Sequence, residues 1–344
     1  MSLRALLALV ASLCAVSVHA CSIPVFRYAL DRWPADPYAL EVSSSDAKDE
    51  SVARFLRNFT DSTPINLVPT RLKEEGASRL LFPHAAPGSA PAWSGALDSN
   101  SLPRFTDSPA RAEVVRRILD GEVGVWVLVE SGDQAADDQA AAGLEKRLRY
   151  LEQVAQLPQI DPSDPTSKLG PGPALRVKFS LLRVQPDDPA EQPLLKMLAG
   201  PKAEAPVSAG PWFALIFGRG RVLGAWPAQG FGDEQVDEAC LFLLGACSCQ
   251  VKRLNPGWDL LLHADWNEAL RAIGYPSAET AAAQTPATEP KNAEPPQPET
   301  VTLAAIAPQP AAPAPSRTSP VAIAAGVLLV LGSALAWRTM RRQP

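Results

Sequence analysis

The sequence predicts an α/β protein of mixed sheets flanked by helices, joined by a stalk to one C-terminal membrane span. Three observations carry that reading. Residues 123–130 (VGVWVLVE) are an unbroken apolar run, the mark of a strand covered on both faces. Apolar residues then recur at helical spacing, at Ala140, Leu144, Leu148, Leu151 and Val154, in an amphipathic helix ending near Pro158. Two further strand-like runs, 213–217 and 221–226, flank Gly218-Arg219-Gly220, whose glycines can take the positive φ of a hairpin turn.

Taken in order, the first half opens with an alternating strand at 38–43. A helix follows at 50–59, with Val52, Phe55, Leu56 and Phe59 on one side. A strand is expected at 65–72, and 79–82 with 92–97 read as a degenerate hairpin. A helix at 109–119 has Pro109 near its first turn, where a missing N–H costs nothing. In the second half, the strand at 123–130 and its helix are followed by a Pro/Gly/Asp loop at 160–173. A strand at 175–184 (LRVKFSLLRV) and a short helix at 191–198 come next. After the hairpin, a last helix at 233–244 gathers Val236, Cys240, Leu243 and Leu244 on one face. The order is β-α-β-α-β-β-α.

The two ends place the chain. Arg4, the apolar stretch 5–18 and Val18-His19-Ala20 read as a signal peptide over 1–20, with an A-x-A-like cleavage site. An uncleaved N-terminal anchor is the competing reading, but the stretch falls short of the roughly 20 apolar residues a spanning helix needs. Val18-His19-Ala20-Cys21 also resembles a lipobox, which leaves lipidation of Cys21 open. Residues 276–320, rich in Ala, Pro, Thr, Glu and Gln, bury too little to offset chain entropy and are expected to form a disordered linker. Residues 321–337 (VAIAAGVLLVLGSALAW) carry no charge and read as a transmembrane helix ending at an interfacial Trp337. Arg338, Arg341 and Arg342 mark 338–344 as a cytoplasmic tail, so the folded part faces outward. The richness in Ala, Arg and Pro, with 35 prolines among 344 residues, is that of a GC-rich bacterial gene. A net charge of -5, with its cations scattered, offers no basic face for nucleic acid. The expected location is a bacterial cell membrane, single-pass, with the ectodomain in the periplasm or outside the cell.

The element order over 121–245 resembles the thioredoxin-like fold, which joins a βαβ unit to a ββα unit in one mixed sheet. Pro211 stands just before the first hairpin strand, where that family places a cis-proline beside its active site. The first half resembles a second copy, with Pro91 before the second hairpin strand instead. The resemblance implies tandem thioredoxin-like domains over 21–120 and 121–275, the latter with a Cys-x-Cys extension. The runs CSIPVFRYALDRW and CSCQVK also resemble stretches of bacterial envelope proteins without an assigned function.

A working member of that family carries C-x-x-C at the start of the helix after its first strand, where the helix N-terminus makes a thiolate reactive. Here those positions hold Ser131, Gly132, Asp133 and Gln134, and in the first half Ser44, Ser45, Asp46 and Ala47. The dithiol chemistry is not carried over. The mature chain keeps Cys21, Cys240, Cys247 and Cys249, all candidates for structural disulfides in an oxidising compartment. Cys247-Ser248-Cys249 reads either as a staple to a distant segment, with Cys21 the natural partner, or as a redox pair or soft Cu(I) site. Cys240 lies on an apolar helix face and reads as core.

Other constellations are thin. His84 and His263 sit in no nucleophile motif. Asp137-Asp138 and Asp187-Asp188 read as solvated residues of turns or helix starts, and Gly218-Arg219-Gly220 as a hairpin. No cofactor and no small-molecule substrate is indicated. The expectation is a redox-inert interaction module that meets the membrane through its C-terminal helix and another envelope protein through its ectodomain. The alternative is an envelope thiol-disulfide oxidoreductase or copper-handling protein using Cys247 and Cys249.

Overall fold

A computed structural model describes residues 22–106, 108–160, 163–202, 210–247 and 250–275. The signal segment, Cys21, Cys249, the linker, the apolar segment 321–337 and the tail lie outside these residues. Among the described residues no helix is long and apolar enough to cross a membrane.

The chain is α/β, with two mixed sheets. The first contains β1 (Tyr38–Val42), β2 (Leu67–Arg71), β3 (Ser78–Leu81) and β4 (Trp93–Gly95) in the order β2-β1-β3-β4. β1 and β2 are parallel, and β3 runs antiparallel to β1 and β4. The second contains β5 (Gly124–Val129), β6 (Phe179–Val184), β7 (Trp212–Phe217), β8 (Arg221–Pro227) and β9 (Trp258–Asp259) in the order β6-β5-β7-β8-β9. Again the first two strands are parallel and the third is antiparallel to its neighbours. The sheets thus repeat one arrangement, the second with an added edge strand.

Eight α-helices are described: α1 (Val25–Arg32), α2 (Glu50–Asn58), α3 (Leu102–Thr106), α4 (Pro109–Leu119), α5 (Gln134–Val154), α6 (Gln192–Ala199), α7 (Asp233–Leu244) and α8 (Trp266–Ile273). Their starts follow from short polar side chains that take up first-turn amides. Asp49 accepts from Ser51 and Val52, Ser108 from Arg111, Asp133 from Ala135 and Ala136, and Asp265 from Glu268. Pro109 follows its cap directly, at a position where an amide has no partner to lose.

The unbroken apolar run of β5 has a plain cause. Val125, Val127 and Val129 enter one apolar cluster while Trp126 and Leu128 enter another on the opposite face. The first cluster is shared with the other sheet, through Tyr38, Leu40, Val42, Leu67 and Leu80, and with α4 through Ala110, Val114 and Ile118. The second lies under α1, α5 and α7 and holds Cys240 and Cys247. The two sheets therefore have a core in common across residue 120. The outer face of the first sheet is largely exposed, and there Glu41 pairs with Arg79, its cross-strand neighbour, at 2.6 Å.

Several buried and half-buried polar groups join distant parts. Arg27 of α1 is ion-paired with Asp31 at 2.8 Å and donates to the carbonyls of Gly170 and Pro173. Arg219, in the β7–β8 turn, donates to Leu30 and caps the end of α1. Asn66 donates to the carbonyls of Asp36 and Leu260 and accepts from the Leu262 amide, pinning the buried segment 260–262 against the first sheet. Asp259 accepts from Arg221, Lys252 and the Asp36 amide.

The outer strands are blunted. The Asn66 carbonyl and the Leu72 amide bond to β1, so the odd positions of β2 face outward, and one of them is Pro69, which has no N–H to offer. On β6 the Phe179 amide is taken by Glu152 and the Leu181 carbonyl by Arg117.

Candidate functional site

An open groove of ≈ 970 Å³ lies where β5, α5, β7 and α7 meet. Its floor and walls come from short segments. The β5–α5 loop gives Ser131 and Asp133, α5 gives Ala136, Ala140 and Gly143, and the approach to β7 gives Gly210 and Pro211. The segment joining β8 to α7 adds Gln229, Phe231 and Asp233. Aromatic side chains support it from beneath. Phe231 stacks on Trp226 with centroids 5.2 Å apart, and both lie near Trp126 and Phe213.

The β5–α5 loop, which carries Ser131, Gly132 and Asp133, is closed by a carboxylate. Asp137, 2 % exposed, accepts from the Ser131 amide and hydroxyl, both at 2.8 Å, and from the Gly132 amide at 3.2 Å. Gly132 has φ 89°, a conformation that glycine takes without strain. Asp133 caps the same helix end from outside. The amides around this helix start are satisfied by the chain's own acids.

At the second helix end, Gly232 donates its amide to Gln235, and Asp233 and Glu234 stand in the first turn. Arg147 of α5 bridges to Asp237 at 2.6 Å and to Asp233 at 3.3 Å. That contact draws the guanidinium pKa upward, chiefly through the hydrogen bond to Asp237.

No family model, curated protein or solved structure matches the chain.

The sequence-predicted residues fall as follows. Pro211 lines the groove beside Ser131 and Asp133, but its peptide bond is trans, since no peptide among the described residues is cis. The expected cis turn is not needed here. Gly210, at φ 142°, makes the bend before Pro211, and the Pro211 carbonyl accepts from the Ala228 amide. Cys240 is fully buried and is a free thiol. Burial pushes it up to about 12, and the neighbouring Trp126 indole offsets this only in part. It is the opposite of an activated thiolate. Cys247 is 1 % exposed, and its amide donates to the Ile23 carbonyl at 2.9 Å beside the isolated bridge between Pro24 and Ala246.

Among the described residues no group of three or more His, Cys, Asp or Glu side chains is arranged to hold a metal ion. His84, 81 % exposed with φ 57°, lies 3.5 Å from Asp36, and His263 forms an isolated bridge with Ile65. Neither faces the groove. Gly218 and Gly220 have φ 57° and 90°, the turn geometry expected of a hairpin. Asp138 is exposed and bonded to Arg183, as a solvated residue should be, but Asp137 departs from that expectation. Its carboxylate turns back onto the loop before its own helix. A contact six residues back leaves no periodic trace in a sequence, and Ser131-Gly132-Asp133, a cluster of turn formers, is the only local sign of it.

Proposed function

We propose that the chain is a membrane-anchored, extracytoplasmic interaction module made of two thioredoxin-like units without dithiol chemistry. The strand order of the second sheet, with β7 antiparallel to β5 and β8, supports the thioredoxin-like reading, and the first sheet repeats it. The observation that carries redox inertness is the occupied start of α5, where Asp133 takes the first-turn amides of Ala135 and Ala136 and Asp137 takes those of Ser131 and Gly132 in the loop before it. The groove beside it is the natural surface for a partner, which we take to be another envelope protein. Anchoring and export rest on the two terminal segments of the sequence.

Two measurements test the reading. Protease added to the outer side of intact membranes should remove nearly all the chain, and full protection overturns the topology. The purified full chain should show no thiol-dependent turnover of a disulfide substrate and no stoichiometric copper. Turnover or copper binding abolished by Cys247→Ser would favour the oxidoreductase or copper-handling alternative instead. Burial of the Cys247 side chain weighs against that alternative.

A further inference from the structure

We infer that the groove between α5 and α7 takes a basic, apolar-bearing segment of a partner polypeptide, a specificity that rests on the interaction-module reading. Ala136, Ala140, Phe213 and Phe231 give the groove an apolar wall, and two carboxylates, Asp133 and Asp233, line it as well. Among the described residues that line it there is no lysine, arginine or histidine. Arg147, the nearby cation, is committed to Asp237 and Asp233.

Two helix N-termini face this space and on their own would favour an anion, each with a partial charge of about +0.5. Here they are outweighed. Asp133 and Asp137 stand at the first end, and Asp233 and Glu234 in the first turn of the second, where the single Arg147 faces both Asp233 and Asp237. The field left over is negative, and it attracts Lys or Arg. Room for the apolar side chain is built in. A Cβ placed on Gly143 or on Gly230 meets nothing within 4 Å, so both positions border open space.

The test uses the full chain in detergent and two labelled octapeptides with one apolar sequence, one carrying two lysines and the other two glutamates. Anisotropy titrations should show binding of the lysine peptide, weakened by high salt, and none of the glutamate peptide. The D133N/D233N double variant should bind the lysine peptide about five- to tenfold more weakly, as expected for two solvent-exposed charges. Asn keeps the cap at position 133, so the helix end survives. Gly143→Phe should abolish binding by filling the groove. Equal binding of both peptides, or unchanged affinity in both variants, overturns the inference. A photocrosslinker at Gln139 separates the two levels of the argument. An envelope-protein adduct that forms with equal peptide affinities leaves the module reading standing and removes the charge preference. Thiol-dependent turnover removes the module reading itself.

Discussion

Glu191 accepts the hydroxyl proton of Ser108 at 2.5 Å and the amide of Ala110 at 2.8 Å, and all three residues are buried. A carboxylate from the start of α6 thereby completes the cap of α4, a helix that packs in the core common to both sheets. Glu191→Ala leaves two buried donors without partners and should cost about 2–4 kcal/mol. Ser108→Ala should cost about 1 kcal/mol as a lost cap. Chemical denaturation of the single and double variants checks this. Additive effects would mean that the pair acts independently, against the geometry.

Asp137→Ala should free the Ser131 and Gly132 amides and destabilise the fold by about 1–3 kcal/mol. The local sign is faster hydrogen exchange at those two amides. Asp137→Asn keeps an acceptor and should fall between. Unchanged exchange at Ser131 in the Ala variant would contradict the role assigned to the carboxylate.

Burial holds the Cys240 thiol proton, raising its pKa from 9.0 to about 12. The folded state therefore binds the proton more tightly than the unfolded chain does. The stability this adds is fully present below pH 9 and is lost as pH rises from there toward 12, by at most about 1.4 kcal/mol per unit. Cys240 should also resist alkylation at pH 8 in the native state and react once the chain is unfolded. Cys240→Ser should flatten the alkaline loss of stability, and mass spectrometry of alkylated peptides reports the reactivity.

Two glycines should respond in opposite directions. Gly143 lies within α5 facing open space, and Gly143→Ala should stabilise by about 0.5–1 kcal/mol. Gly257 has φ 103°, and an added Cβ would stand 2.1 Å from the Val222 carbonyl oxygen. Gly257→Ala should cost several times what the other gains, because neither the backbone nor the strand beside it can yield cheaply. Thermal melts of both variants check the pair.

The Cys247 amide bonds to the Ile23 carbonyl, so residue 23 runs beside residue 247. Cys21 precedes that contact by two positions. We expect non-reducing peptide mapping to recover Cys21 linked to Cys247 or Cys249, and Cys21→Ser to lower the melting temperature, in line with the roughly 2–4 kcal/mol typical of such crosslinks. A lipidated Cys21, or Cys247 bonded to Cys249, would defeat this prediction.

Much of the fold was legible because its strands are buried and its helices are capped by recognisable residues. β5 read as a two-faced strand because it is one, and 109–119 read as a helix through Pro109. The strand expected at 175–184 begins only at Phe179, where Gly124 starts to pair with it, and Arg176 before it turns to the Asp120 carbonyl. α1 escaped notice because Arg27 and Asp31 look like surface residues, and only tertiary contacts with Gly170 and Pro173 explain their burial. β9 is two residues long, below what any period can register. Of the groove, Pro211 was visible and Asp137 was not, since a proline announces itself locally and a carboxylate's direction does not.

The clasp made by the N-terminal segment has a kinetic side. Trp33 donates to the Gln250 carbonyl 217 positions later, and the Asp36 amide to Asp259 across 223. On a chain that is made or threaded from its N-terminus, these earliest residues meet their partners last. Helix α1, whose buried face carries Val25 and Phe26, has to wait uncovered until β7 and α7 have emerged. Contacts this far apart in sequence slow the search for the folded state. For this interval the apolar face of α1 is the part of the chain that a holding chaperone would grip.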